Sequence, residues 1–496
     1  MKMVKSLLLG SAAGLVAMTG AQAADLPVKA KPVQYVKICS LYGVGFYYIP
    51  GTDMCLKVGG WARFEVGYGY NGSFTNEMYN NNVNNRTTND NNWRVKGIAS
   101  FDARSQTEYG TVRSYITLGV STNVNGDDGA ATATYSNRWF IQWAGFTIGH
   151  STSFFDFYSI GANQYGVANF GSDTGDGGWT VFGYTANFGN GLSASLSAEQ
   201  QRRTRIYNVS SAAPAVGFFE AAPGLGGILL PFVGWTNPAG SNSYEGHDYP
   251  DVVANLRVDQ TWGSAQVMGA LHNVAATYYG TTDTTGHPSD KMGFALGGGI
   301  KLNVPWTGMG DYFQAEVDYS QGALRYLNHS ATVGDFIMYH GGTIGYGILT
   351  DAVYGAGGDL QLTSAWGLNA AFTHNWNAAW KSTLWGGYEA VRYNSIGNSL
   401  LCGGAAQVAA GCDNDWNIWG VGLRTQWAVS STFQIGLEVL YTRLESATPV
   451  GGSITQSGTN ATKGGCAVGV LGAACYHAED QDNWAFRFRV NRDFYP

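Results

Sequence analysis

Along much of this chain, polar and apolar residues alternate one for one. Between Arg94 and Arg104 the even positions carry Arg94, Lys96, Ser100, Asp102 and Arg104. The odd positions carry Val95, Gly97, Ala99, Phe101 and Ala103. A strand sends successive side chains to opposite faces, so such a segment has one charged face and one apolar face. Its length suits a tilted strand crossing a bilayer, which needs about 9–11 residues.

The pattern predicts about sixteen such strands. They cover 56–70, 92–105, 110–121, 135–144, 146–153, 179–188, 192–200, 251–261, 264–274, 291–303, 311–325, 359–375, 380–393, 415–428, 432–445 and 483–494. Short turns alternate with long connections. The turns include Thr107-Glu108-Tyr109-Gly110, Phe188-Gly189-Asn190-Gly191 and Ser430-Ser431. The long connections, 71–91, 202–250, 328–351, 394–414 and 447–482, are rich in Asn, Gly, Asp and Ser. The faces agree between strands. Arg63 and Glu65 oppose Ala62, Phe64 and Val66; Arg487, Arg489 and Asn491 oppose Phe486, Phe488 and Val490. An Arg or Lys facing lipid at the midplane costs roughly 2–4 kcal/mol, so the charged faces must meet water or protein. A soluble β-sandwich also alternates, but its strands run to about 5–6 residues. Here Tyr68, Tyr70, Trp93, Trp139, Trp143, Trp427 and Trp484 fall near strand ends, as interfacial girdles do. The fold class expected is an all-β transmembrane antiparallel barrel, with short periplasmic turns and long extracellular loops.

Composition sharpens this. Gly is 70 of 496 residues and aromatics are 14%, against only 12 Pro, which suits strands and turns. The first 23 residues read as a signal peptide: Lys2 and Lys5, an apolar run from Leu7 to Met18, and Ala21-Gln22-Ala23 as the cleavage site. Residues 24–54 then form a periplasmic segment and 55–496 the barrel. The chain carries 28 basic against 35 acidic residues, a net −7, and no basic block suggests nucleic acid. The mature net charge leans towards cation preference. The run Arg202-Arg203-Thr204-Arg205 reads as a solvated loop. The six cysteines, Cys39, Cys55, Cys402, Cys412, Cys466 and Cys475, are disulfide candidates in an exported chain, with the connectivity open. No metal, cofactor or catalytic residue is expected. Asp173-Thr174-Gly175-Asp176-Gly177-Gly178 lacks the closing Glu of a calcium loop. His150, His272 and His374 lie on different strands without a serine partner, and no Gly-x-Ser-x-Gly occurs.

Barrels of about 16–18 strands hold an aqueous channel unless something fills it. The connection near 151–178 is the candidate constriction. Phe154, Phe155, Phe157 and Tyr158 would pack on the inner wall, and Asp156, Asp173 and Asp176 would face the lumen. The basic side of the pore wall would be Arg63, Arg94, Lys96, Arg104, Arg113 and Arg138. Opposed charge makes a transverse field that orients water and polar solutes. Tyr115 and Trp61 point inward by parity, but no continuous inward aromatic line is evident.

The segment Ala24-Asp25-Leu26-Pro27-Val28-Lys29-Ala30, then Cys39-Ser40-Leu41-Tyr42-Gly43, Phe46-Tyr47-Tyr48-Ile49-Pro50-Gly51-Thr52-Asp53 and Cys55-Leu56-Lys57-Val58-Gly59-Gly60-Trp61, resembles the alphaproteobacterial porins of the Rhizobiales type. The resemblance runs over essentially the whole chain, most specifically in its first 70 residues. It implies a homotrimeric, sixteen-stranded outer-membrane porin with an inward third loop, passing ions and small hydrophilic solutes by diffusion. Its partners would be outer-membrane lipid and lipopolysaccharide, with peptidoglycan held through the mature N-terminus. The chain departs from the pattern in two places. It ends Phe494-Tyr495-Pro496 rather than on an aromatic residue, and it has an apolar patch (Leu225, Ile228, Leu229, Leu230, Phe232, Val233) in 202–250. The alternatives are a substrate-selective channel, for sugar or another small solute, and a closed structural or adhesive barrel.

Overall fold

A computed structural model describes residues 37–69, 91–124, 131–157, 165, 171–172, 177–209, 244–280, 282–328, 335–340, 343–457 and 473–495. The leader, Asp173, Asp176, Tyr158, Cys466 and most of 202–250 lie outside these residues, as does the side chain of Cys475.

Sixteen antiparallel strands close into one barrel. In chain order they are β1 (Cys55–Tyr68), β2 (Asn91–Thr107), β3 (Gly110–Val124) and β4, in two pieces (Ala131–Tyr135 and Trp139–Trp143). Next come β5 (Phe146–Ser151), β6 (Trp179–Gly189), β7 (Leu192–Glu199), β8 (Asp251–Gln260), β9 (Gly263–Val274) and β10 (Lys291–Asn303). The last six are β11 (Tyr312–Gln321), β12 (Ser364–Asn375), β13 (Trp380–Arg392), β14 (Trp416–Ser430), β15 (Phe433–Glu445) and β16 (Gln481–Asp493). Each pairs with its neighbour. β16 pairs with β1 from Trp61 opposite Asp493 to Tyr68 opposite Phe486, which closes the barrel.

Alternation sets the two faces. Val95, Leu118, Ile141, Leu196, Val267, Val317 and Leu437 stand exposed on the outside, as an apolar belt in lipid must. Trp93, Trp139, Trp143, Trp427 and Trp484 are also exposed and outward. At the short-turn rim Trp380 stacks on Trp427, with centroids 5.7 Å apart. Phe494 continues the outward face at this rim. Its N–H donates to the Gly60 carbonyl at 2.9 Å.

Several strand ends differ from the sequence pattern: β3 runs to Val124, and β4 begins at Ala131 and is broken at 136–138. The apolar residues after Gln321 do not extend β11, because Gly322 turns the chain at φ +67° and carries Leu324 and Tyr326 into the interior. β12 begins at Ser364, not 359. Above the strands, the long loops pack on one another. Tyr207, Tyr326, Ile344, Ile348, Val353, Leu401, Trp416 and Tyr476 are buried in one continuous apolar cluster. Cys402 and Cys412 form a disulfide there, beside the helices Ser395–Leu401 and Ala405–Ala409. Cys39 and Cys55 form a second, at the opposite rim.

Two buried carboxylates bind the loops together. Asp351 accepts from the Thr204 and Leu324 N–H groups and from the Tyr244 hydroxyl. Asp251 accepts from the Arg202 N–H and the Tyr326 hydroxyl and meets His272 at 2.7 Å. Arg202 and Arg205 are therefore interior, at 0% and 8% exposure. The solvated-loop reading of 202–205 is corrected: acids distant in sequence converge on this run.

At the short-turn rim, Asp311 fastens the β10–β11 turn to the end of β12. It accepts from His374 Nδ1 (2.6 Å), the Thr307 hydroxyl (2.8 Å) and the Asn375 backbone N–H (2.8 Å). Burial alone would raise the Asp311 pKa, but these donors prevail and lower it to about 2. A depressed carboxylate stabilises above its unfolded value, about 3.9, and loses that contribution as pH falls through about 2. Asp311→Asn should thus cost about 1–3 kcal/mol at neutral pH. Thermal melts at pH 7 and pH 2 should show the gap closing in acid.

Candidate functional site

The described residues of the connection between β5 and β6 lie inside the barrel and touch walls on opposite sides of it. The connection first lies along β7 to β10. The Phe154 N–H donates to Glu199 at 2.9 Å, and Asn255 donates to the Phe154 carbonyl at 2.6 Å. Phe155 is 1% exposed and meets the Tyr326 ring at 4.7 Å. Phe157 covers Arg257, at 5.2 Å. The chain then reaches the far wall. The Tyr165 ring lies 4.0 Å from the Arg489 guanidinium and 5.1 Å from that of Arg424. Its N–H donates to Glu438, and its carbonyl accepts from Arg487. Returning, Ser172 meets Asn369 at 2.5 Å, and the Gly177 carbonyl meets His150 at 3.0 Å.

This course bears out the inward course expected for the loop and the packing of Phe154, Phe155 and Phe157 on the wall. It corrects Asp156. That side chain is 2% exposed and is paired with Arg202, itself 0% exposed, at 2.7 Å. The Arg202 guanidinium also lies between Trp179 (4.8 Å) and Tyr326 (4.6 Å). A carboxylate this deep needs its cation, so Asp156 roots the loop instead of facing the lumen.

The loop covers one side of the barrel. Beneath it Glu199, Glu316 and Glu438 are at most 2% exposed. On β1 to β4 the described loop residues leave the inner wall open, and the six bases expected there all share inward parity. They occupy different depths. Arg63, Arg94 and Lys96 lie at the level of Tyr165. Glu65, 0% exposed, takes Arg94 Nε at 2.8 Å and Arg489 Nε at 2.7 Å. Arg63 donates to Asn491 at 3.0 Å and covers Trp61 at 4.1 Å. Arg104 and Arg113 sit closer to the short-turn rim, on the order of 27 Å along the strand from Lys96 at about 3.4 Å per residue. They share Asp102. Arg138 is the last residue of the break in β4, on the parity of Phe140 and Gln142.

Parity alone did not single out Tyr165, Arg424 and Glu438. One signal was available: Gly299 and Gly436 are inward-facing glycines, Gly436 in a strand whose neighbouring inward residues, Gln434 and Glu438, are large. A side chain at either would strike Phe157 or Tyr165, and glycine within a strand often marks such a close approach. Inward aromatics also form a longer row than parity suggested, with Tyr115 stacked on Phe140 at 5.4 Å and Lys96 over Tyr135 at 4.9 Å.

Burial pushes the Tyr165 phenol above its ordinary pKa, so a neutral ring faces both guanidiniums. Tyr165→Leu keeps most of the apolar bulk and removes two cation–π contacts. It should cost about 1–2 kcal/mol and raise open-channel current noise in a planar bilayer.

The family profile described as "Porin subfamily" matches residues 25–489. Porin Omp2a of Brucella melitensis biotype 1 is 34% identical over 253 residues, which cover 45% of this chain and 64% of that protein. Porin Omp2b of the same organism is 35% identical over 249 residues, with the same coverage. The chain thus spans less than two thirds of the curated relatives it matches. In fold, the outer membrane channel DcaP of Acinetobacter baumannii aligns over 90% of this chain and 99% of its own, with a TM-score of 0.52 and 11% identity.

Proposed function

The chain belongs to the porin subfamily, and on that premise we propose that it forms a water-filled channel in the Gram-negative outer membrane for passive diffusion of ions and small hydrophilic solutes. The observation that carries this is the one-sided loop. Its described residues pack onto the wall between β7 and β16 and leave the charged inner wall of β1 to β4 uncovered. Solutes pass along that wall, and no chemical step is part of the function. In this reading the bases of that wall supply the transverse field, since among the described residues Asp156 is neutralised and Glu199, Glu316 and Glu438 are buried.

A homotrimer completes the reading. β5 has six residues and each piece of β4 has five, short of the roughly 9–11 that a tilted strand needs to span lipid. A protein neighbour suits this low wall better than acyl chains do. Outer-membrane lipid and lipopolysaccharide would surround the other strands. Residues 1–23 would be the exported leader, 24–54 the periplasmic segment and 55–496 the barrel. A peptidoglycan tether through Ala24 belongs to the same reading.

The test is single-channel recording of the purified protein in a planar bilayer. Stable steps closing in threes at high voltage are expected. Silence from protein shown to be folded would overturn the channel and favour a closed structural barrel.

A further inference from the structure

The periplasmic part of the open wall carries a built cationic site. Arg104 and Arg113 grip one carboxylate from two sides. Arg104 donates Nε and Nη2 to Asp102 at 2.9 and 2.7 Å, and Arg113 does the same at 3.0 and 3.0 Å. Gln142 holds a further Arg113 nitrogen at 3.0 Å. Each guanidinium also lies on rings: Arg104 on Phe46 at 4.9 Å, Arg113 on Tyr115 at 5.0 Å. Lys57, directly opposite Asp102 in the β1–β2 register, adds a third cation.

Two arginines on one acid leave a net positive charge, and the geometry turns that charge to the water. The Arg104 and Arg113 side chains are 27% and 26% exposed, whereas Asp102 is 11% exposed. A pair that only braced the wall would need one arginine. Fixing the guanidiniums on Asp102 and the rings removes most of the ordering cost of gripping an oxyanion, and their planar forks suit carboxylate and phosphate. Across the lumen Glu199, Glu316 and Glu438 lie buried beneath the loop, and Asp259, whose side chain is 53% exposed, is already paired with Arg257 at 2.8 Å, so these described acids offset little of the field.

We propose that Lys57, Arg104 and Arg113 form a transit site for small oxyanions bearing two carboxylates or a phosphate, and that the channel prefers anions. The inference rests on the channel reading above, names its preferred solutes, and reverses the cation preference that net charge suggests.

The test uses the full-length protein in planar bilayers at about 0.1 M salt, where screening acts over about 10 Å. Reversal potential is read in a potassium chloride gradient, then block by succinate and by inorganic phosphate, with glucose as the neutral control. Anion-favouring potentials and saturable block by both oxyanions, but not by glucose, are expected. The variant D102N/R104Q/R113Q removes the site without stranding a buried charge. It should weaken block about tenfold or more, the loss of one or two charge-assisted hydrogen bonds, and move the reversal potential towards the cation side. R104Q and R113Q singly serve should the triple variant misfold, each with a smaller shift in the same direction. A cation-favouring native channel, or block unchanged in the variants, overturns the proposal and leaves the channel standing. No conductance from folded native protein overturns the channel reading itself.

Discussion

Glu65→Ala should destabilise the barrel by about 3–5 kcal/mol, the usual consequence of removing one partner from a buried ion pair. Glu65 is 0% exposed and accepts from Arg94 on one neighbouring strand and Arg489 on the other. Without it, those two guanidiniums and nearby Arg63 and Arg487 are left in mutual repulsion. Arg489→Gln should cost less, because Arg94 still neutralises the carboxylate. Urea unfolding in detergent, followed by tryptophan emission, checks both. A Glu65→Ala loss below about 1 kcal/mol, the range of a surface pair, would mean that lumen water solvates these arginines well enough to make the carboxylate dispensable.

The second large effect is expected at the root of the loop. Arg202→Met leaves Asp156 buried without its cation and should also cost about 3–5 kcal/mol. The loss should concentrate in residues 152–157, raising current fluctuations before the barrel melts. Asp156→Asn in the same chain should restore most of the stability, since a neutral amide no longer needs the guanidinium. Thermal melts of the two single variants and the double variant form the cycle. A double variant as unstable as Arg202→Met would show that the stacking of Arg202 between Trp179 and Tyr326 outweighs the ion pair.

The strands were legible in the sequence because the outer face of a barrel strand meets lipid along its whole length, while its inner face meets water or a polar loop. Lipid demands apolar residues on one side and water tolerates charge on the other, so the two-residue period survives almost undisturbed from β1 to β16. It fails where local chemistry intervenes. Ser136, Asn137 and Arg138 interrupt β4, and the Ser136 hydroxyl donates to the Thr117 carbonyl there. Beyond Gln321 apolar residues continue, but they serve the packed outer loops and not the belt. The basic wall was legible by parity, whereas its division into two depths depended on strand register. Asp156 and Arg202 were the least legible. An acid in one loop and an arginine in another each look solvent-bound until the fold brings them together, and neither spacing nor composition records that meeting.

The seam between β1 and β16 carries a consequence for how the barrel is made. Glu65 and Arg489 meet across a separation of 424 residues, so one of the site's tightest contacts exists only once the first and last strands find each other. Contacts of such long range are slow to form, because the loop-closure entropy must be met before they stabilise anything. Until then Arg489 is without Glu65, and two strand edges stand unpaired, ready to join another chain. Closure and charge neutralisation are thus one event. An assembly intermediate that stalls before it should be open-edged, locally cationic and prone to aggregate, while one that passes it has both its final sheet and its final lumen.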